Sequence, residues 1–527
     1  MPRKSRASDY ESLTRPRSRF SGTAAVELDT EDLTHLKPVK SSSSRIKPVT
    51  TQDKKEPKEE VVSCLPNLRL SAPSEQRDIK GAHDKQGRLS TSAFLRRGHA
   101  LTYYALFLFS VILYARPAEF YPSPLTASIA LIVGLLTLAI YFPSQLALEG
   151  TLTARPREVN LILLFCLTGL LSIPLAINPL EAWLEFSGTF IRCIVIFIVM
   201  VNAVRTENRL KGLLFLAVAV SCWLSLGALN DYRLGLLTVE GYRVGGVGNG
   251  IFGNSNDMAL YLVTTMPIAI GLIFAGRGVV KKVVFAVSVV LMIGAIVVTY
   301  SRGAFLGELV ALGFMAWKLG RSRRLIIFSA GTLVILLFLL LAPGNYAVRL
   351  LSIFVPSLDT VGSSSARQGE LFRSIYVALR HPLFGIGMGN YAPEMSYRGL
   401  VTHNAYTQVA AEMGLAALAV YTMFVVTPIK RLAQIPRETL TTPNSSRYYY
   451  LAVGLQASLL AYLVSSFFAS VAYLWYAYYL VAYAVCLRRI YEAEIGGIVV
   501  LDKGKLKEPG LLRVATLVGR ENGTVIP

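Results

Sequence analysis

From about residue 98 onward, apolar residues do not alternate with polar ones. They run on for close to twenty positions at a time, separated by short polar, basic or glycine-rich stretches. About twenty apolar residues is the length a helix needs to cross a hydrocarbon core. Lipid offers the backbone no hydrogen-bond partners, so continuous apolar runs predict helices, and the lack of period-two alternation argues against a β-barrel. Twelve spans are expected: 100–115, 124–142, 160–177, 187–204, 210–229, 256–275, 280–299, 303–318, 325–342, 404–427, 449–468 and 471–487. The last two come from one run, 448–486. At about 1.5 Å per residue it is too long for one crossing, which places a tight hairpin near Ser470. The predicted fold is all-α: a polytopic integral membrane protein of about twelve transmembrane helices. Its membrane domain covers 98–490, with a large outer loop, 343–403, between helices 9 and 10. Residues 1–97 are rich in Ser, Lys, Arg, Glu and Pro and read as a disordered basic tail. A second, short tail follows at 491–527.

Charge orients this scaffold. The chain has 53 Lys and Arg against 33 Asp and Glu, a net charge of +20. The excess lies in the tail and in alternate loops, so it does not point to nucleic-acid binding. With the N-terminus inside, the inner connections carry Arg155 and Arg157, then Arg205, Arg209 and Lys211, then Arg277, Lys281 and Lys282. Lys318, Arg321, Arg323 and Arg324 follow, then Lys430, Arg431, Arg437 and Arg447, with Arg488 and Arg489 after the last span. This positive-inside pattern puts both termini in the cytoplasm and leaves 230–255 and 343–403 on the outer face. The tyrosines after 448 read as interfacial belts. The five cysteines include no C-x-x-C pair, and no D-x-D occurs, so neither a zinc site nor a metal-held diphosphate is indicated. No cofactor is implied.

The candidate chemistry sits in the outer segments. Of five histidines, His35, His83 and His99 lie in or at the end of the tail, and His381 precedes a proline. His403 stands where the polar loop meets an apolar helix, and is the best-placed group for acid–base work near neutral pH. The positive end of that helix would lower its pKa and keep the ring neutral. A capping or interfacial ring is the plainer role for such a residue. Arg302, in 299-TYSRGAFLG-307, lies at a span end, where it either snorkels or presents its planar fork to a diphosphate. The stretch 365-SARQGELFRSIYVALR-380 has Leu371, Phe372, Ile375 and Leu379 on one helical face. It predicts an amphipathic helix, against the bundle or the membrane surface, that carries Arg367, Arg373 and Arg380. In 230–262, Asn254, Ser255, Asn256 or Asp257 can cap the next helix. Asn256, Arg233 and Arg243 are also candidates for contacting phosphate or sugar.

Taken together, 116-RPAEFYP-122, G-N-S-N-D at 253–257, S-R-G-A at 301–304, the Arg367 helix, 381-HPLFGIGMGN-390 and His403-Asn404 resemble the O-antigen ligase family, relatives of the O-antigen polymerases. His403, Asn404 and Gly414 match the family's histidine motif; its second glycine is Ala417 here. The resemblance implies a metal-independent, inverting glycosyltransferase of the bacterial inner membrane. Such an enzyme moves a glycan from undecaprenyl diphosphate to an acceptor hydroxyl on the periplasmic side. His403, Arg302 and Arg367 match the family's catalytic positions. Asn404, Arg233, Arg243, Arg373 and Asn256 are secondary, substrate-binding candidates. The implied partners are the lipid-linked donor, a lipid A core or glycan acceptor, membrane lipids and a chain-length regulator. A polymerase extending lipid-linked repeat units shares this chemistry. A transporter or flippase would place ionisable residues inside the spans, where this chain has few.

Overall fold

The structure is a computed structural model that describes residues 98–238, 241–248, 251–319, 363–397, 399–435 and 446–505. Both tails beyond these limits, the span expected at 325–342 and the first part of the long outer loop lie outside the described residues. Thirteen helices frame the described chain. They are α1 (Ala100–Ala115), α2 (Pro124–Glu149), α3 (Arg157–Ser172), α4 (Pro179–Ala203) and α5 (Glu207–Arg233). Then come α6 (Ser255–Ala275), α7 (Val279–Thr299), α8 (Arg302–Leu319) and α9 (Ser363–Arg380). The rest are α10 (Ala405–Met413), α11 (Leu415–Leu432), α12 (Ser446–Ser465) and α13 (Trp475–Lys505). No strand occurs among the described residues beyond an isolated bridge between Leu237 and Val244. The fold is all-helical, and eight of the helical segments are long and apolar enough to cross a membrane. The chain is a multi-pass membrane protein.

Helices α6 and α12 form the tightest pair. A Cβ on Gly454 would lie 2.7 Å from the Pro267 carbonyl oxygen, and one on Gly271 would lie 2.9 Å from that of Tyr450. Only glycine lets the two backbones meet this closely, the usual way helices gain van der Waals contact in lipid. At the end of α12, Ser465 Oγ donates to the Gly303 carbonyl at 3.1 Å and anchors α12 to the first turn of α8.

Two expectations change in three dimensions. The tyrosines after 448 are core residues rather than an interfacial belt: Tyr462, Tyr473, Tyr478 and Tyr491 are fully buried, and Tyr476, Tyr479 and Tyr483 are buried with them. The first turns of α13 are wrapped by neighbouring helices, and several of the phenol oxygens find partners inside. Tyr421 and Tyr462 pair at 2.7 Å, Tyr479 meets Ser110 at 3.0 Å, and Tyr478 donates to the Ala472 carbonyl at 3.0 Å. The span expected at 404–427 is also two helices. Gly414 breaks it with φ of 89°, and a Cβ there would sit 2.3 Å from the Leu383 carbonyl oxygen. The 381–390 turn causes this break. It docks on the end of α10 through Ile386 N–H to Ala411 O and Gly387 N–H to Glu412 O, both 2.9 Å, while Leu415 N–H donates to Pro382 O at 2.8 Å. The same turn reaches the start of α4, where Asn390 Oδ1 accepts from Asn178 N at 2.8 Å.

Candidate active site

Four segments far apart in the sequence converge at one end of the bundle. They enclose a cavity of about 220 Å³ lined by Arg302, Arg367, Gln368, Leu371, Thr402, His403, Asn404, Phe467 and Phe468. The three strongest candidates from the sequence, His403, Arg302 and Arg367, therefore share one cavity with Asn404.

Each is positioned by its local backbone. Arg302 opens α8 two residues after Tyr300, which closes α7 in the left-handed region at φ 50°. The 230–255 segment braces this corner. Val244 N–H donates to the Val298 carbonyl at 3.1 Å, and the Tyr242 ring packs edge-on against Tyr300 at 5.4 Å. Arg302 is buried to 7% exposure, so its charge is largely removed from water. Arg367 comes from the first turns of α9, which pack on α10 through the buried face of Glu370, Ser374, Val377 and Ala378. The apolar residues Phe372 and Leu379 point away, 70% and 68% exposed. Of the two surfaces expected for this helix, the bundle is thus met by a different face, and the apolar strip is left to the surroundings.

His403 also lies in the left-handed region, at φ 52°, uncommon for a residue with a side chain. Its neighbours hold it there. Thr402 and Asn404 are each 2% exposed. Thr402 Oγ1 meets Ser470 Oγ at 2.9 Å and donates to the Asn404 carbonyl at 3.0 Å. Asn404 caps α10, its Oδ1 accepting from Tyr406 N at 2.9 Å and Thr407 N at 3.0 Å. Its buried Nδ2 donates to no described residue, which leaves one amide donor on the cavity wall. Burial and then the Arg367 charge bring the His403 pKa down to about 4. The ring is neutral at physiological pH, as expected from sequence, but burial rather than the helix dipole is the leading cause.

The secondary candidates other than Asn404 do not line this cavity. Arg233 is exposed at the end of α5, beside Asn230. Arg243 is buried in the brace behind Arg302. Asn256 joins the α6 cap through its backbone, donating to Asn254 Oδ1 at 2.8 Å. Arg373 pairs with Glu370 at 3.2 Å and lies over the Tyr397 ring at 3.7 Å, so it holds its own loop together. Sequence reasoning passed over Gln368, Thr402, Phe467 and Phe468. The two phenylalanines sit in the polar interruption SSFFAS, whose break in an otherwise apolar run was read only as a hairpin. Among the described residues, no three His, Cys, Asp or Glu side chains come together as a metal site would need.

Residues 287–422 match the family model described as O-antigen ligase. Over this segment the chain is similar to the O-antigen ligases. The O-antigen ligase match spans the segments that supply Arg302, Arg367, His403 and Asn404, and ends before Phe467 and Phe468. It leaves out Arg233, Arg243 and Asn256. A comparison with curated proteins finds no match.

Proposed function

We propose that this protein is a membrane glycosyltransferase that transfers a glycan from undecaprenyl diphosphate to an acceptor hydroxyl at the periplasmic face, without a metal and with inversion at the anomeric carbon. The observation that carries this reading is the meeting of two guanidinium side chains and a neutral imidazole in one cavity. The likeness of residues 287–422 to the O-antigen ligases supports the reaction class.

Such a donor already has a good leaving group, so the protein's task is to stabilise the departing charge and orient the acceptor. Arg302 and Arg367 suit the diphosphate, because a guanidinium offers paired donors in a plane that matches phosphate oxygens. A largely dehydrated cation such as Arg302 stabilises developing negative charge more strongly than an exposed one. His403 suits the acceptor side. Its ring is unprotonated at neutral pH and can take the hydroxyl proton as the acceptor oxygen bonds to the anomeric carbon and the carbon–oxygen bond to the diphosphate breaks. Attack opposite the leaving group gives inversion in one step. The Asn404 amide donor lies beside His403 and is suited to hold a sugar hydroxyl or the acceptor in line. Leu371, Phe467 and Phe468 provide apolar surface for the lipid or the sugar faces.

The test uses purified full-length protein in detergent with EDTA, a lipid-diphosphate-linked repeat unit, and then an added lipid A core. Transfer to the core alone supports the ligase reading. A ladder of lengthening lipid-linked chains without the core supports a polymerase, the second reading, which Ala417 in place of the histidine motif's second glycine favours. No transfer in either arm, or transfer only after magnesium is restored, would overturn the proposal.

A further inference from the structure

A second cavity, about 620 Å³, lies at the opposite end of the helices from the His403 site. Its wall comes from the start of α5, the end of α6, the start of α7 and the start of α12. The ends of α7 and α12, by contrast, lead to the Arg302 corner and to Phe467. Four cations line it: Lys211, Arg277, Lys281 and Arg447. Glu207 holds Lys211 at 2.6 Å and Arg447 at 3.3 Å, and Glu494 holds Arg447 at 3.0 Å. Arg277 and Lys281 make no ion pair with any described residue and are exposed at the mouth. Among the described residues, no acidic side chain lines the cavity. The remaining wall is largely apolar, with the Phe215 and Phe285 rings packed 5.5 Å apart.

These features select an amphiphile. A soluble anion would use the cations but gain nothing from the phenylalanine wall, and a neutral lipid would leave Arg277 and Lys281 uncompensated. The position, at the ends of segments long enough to span a bilayer, is where a lipid phosphate lies. Basic pockets between helices at a membrane boundary are a recurring way of holding anionic headgroups. We infer that this cavity binds an anionic glycerophospholipid, its phosphate between Arg277 and Lys281 and an acyl chain along Phe215 and Phe285. Lys211 and Arg447, already paired, keep the rim positive without meeting the phosphate directly. The site is independent of the glycan-transfer reading and stands whether or not that reading holds.

Native mass spectrometry of the delipidated full-length protein with equimolar phosphatidylglycerol and phosphatidylethanolamine tests this. Phosphatidylglycerol adducts are expected to predominate. Neutralising a basic residue near a lipid phosphate weakens binding about fivefold, so Arg277→Gln with Lys281→Gln is expected to reduce phosphatidylglycerol binding about thirtyfold. Arg277→Lys with Lys281→Arg should retain it, as should Arg380→Gln at the other end of the bundle. Equal adducts of the two lipids, or undiminished binding in the double glutamine variant, would overturn the inference. So would soluble glycerol phosphate displacing the lipid mole for mole, because the apolar wall would then contribute nothing. If the glutamine variant fails to fold, the competition on the unaltered protein still decides.

Discussion

His403 is in an unfavourable state twice over. A left-handed backbone costs a residue with a Cβ about 1–2 kcal/mol, and the ring is half-buried near a guanidinium. Such strain persists only where the surroundings over-determine it, which here means Thr402, Ser470 and the Asn404 cap. Because the pKa is lowered to about 4, the neutral ring predominates above that value and is lost only as pH falls through it. The acid limb of kcat/KM is therefore expected near pH 4, not near the ordinary histidine value. Removing the Arg367 charge in Arg367→Gln takes away one cause of the lowering, so the limb should move to higher pH. A limb near 6.5 in the unaltered enzyme would contradict this account. His403→Ala and Arg302→Ala should each keep normal membrane levels and lose transfer by at least the 10²-fold usual for an acid–base or charge-stabilising group; full activity in a well-expressed His403→Ala protein would remove it from the chemistry. Asn404 separates its two roles by substitution. Asn404→Asp keeps a cap oxygen and should preserve stability while lowering transfer. Asn404→Ala should also destabilise the protein by about 1 kcal/mol, as loss of a cap does. Thermal melts beside activity assays would distinguish the two.

At the scale of elements, the site depends on a short helix that the membrane pattern conceals. α10 exists because Gly414 breaks a longer apolar run, and the 381–390 turn fills the break. The glycines of that turn thus serve α10, and through it His403, rather than the substrate. Gly414→Ala is expected to lower transfer and stability together, since it meets both a positive φ and a carbonyl oxygen 2.3 Å away. Gly454→Val should act earlier, by forcing α12 from α6. Its expected signature is a fall in the amount of folded protein in the membrane, with any surviving protein still active. Normal levels of Gly454→Val would show that the pair tolerates separation.

For the whole molecule, the ends of the bundle differ in character. One holds the His403 cavity, and the other holds the part-buried ion pairs Arg205–Glu149 at 2.6 Å and Arg431–Glu158 at 2.9 Å together with the second cavity. If basic loops face the cytoplasm, a cysteine at Leu383, which is 73% exposed, reacts with a membrane-impermeant thiol reagent from outside intact spheroplasts, and one at Arg277 reacts only after lysis. Labelling in the reverse order would invert the topology and move the proposed chemistry to the other side.

The sequence by itself was enough for the helical membrane class, because twenty-residue apolar runs have one physical solution in lipid. It also singled out His403 and Arg302, which stand at span ends where charge needs a reason, and Arg367 on an amphipathic helix of the loop. The amphipathic helix over 365–380 and the hairpin near Ser470 were legible too, from spacing and length. Only the tertiary structure decided the rest. Hydropathy cannot tell a lipid-facing tyrosine from a buried one, so the late tyrosines looked interfacial. A break made by a loop docking from elsewhere leaves no mark in a local pattern, so α10 and α11 looked like one span. Convergence of residues up to about 100 positions apart is a property of packing, and packing put His403, Arg302 and Arg367 in one cavity while leaving Arg233, Asn256 and Arg373 outside it.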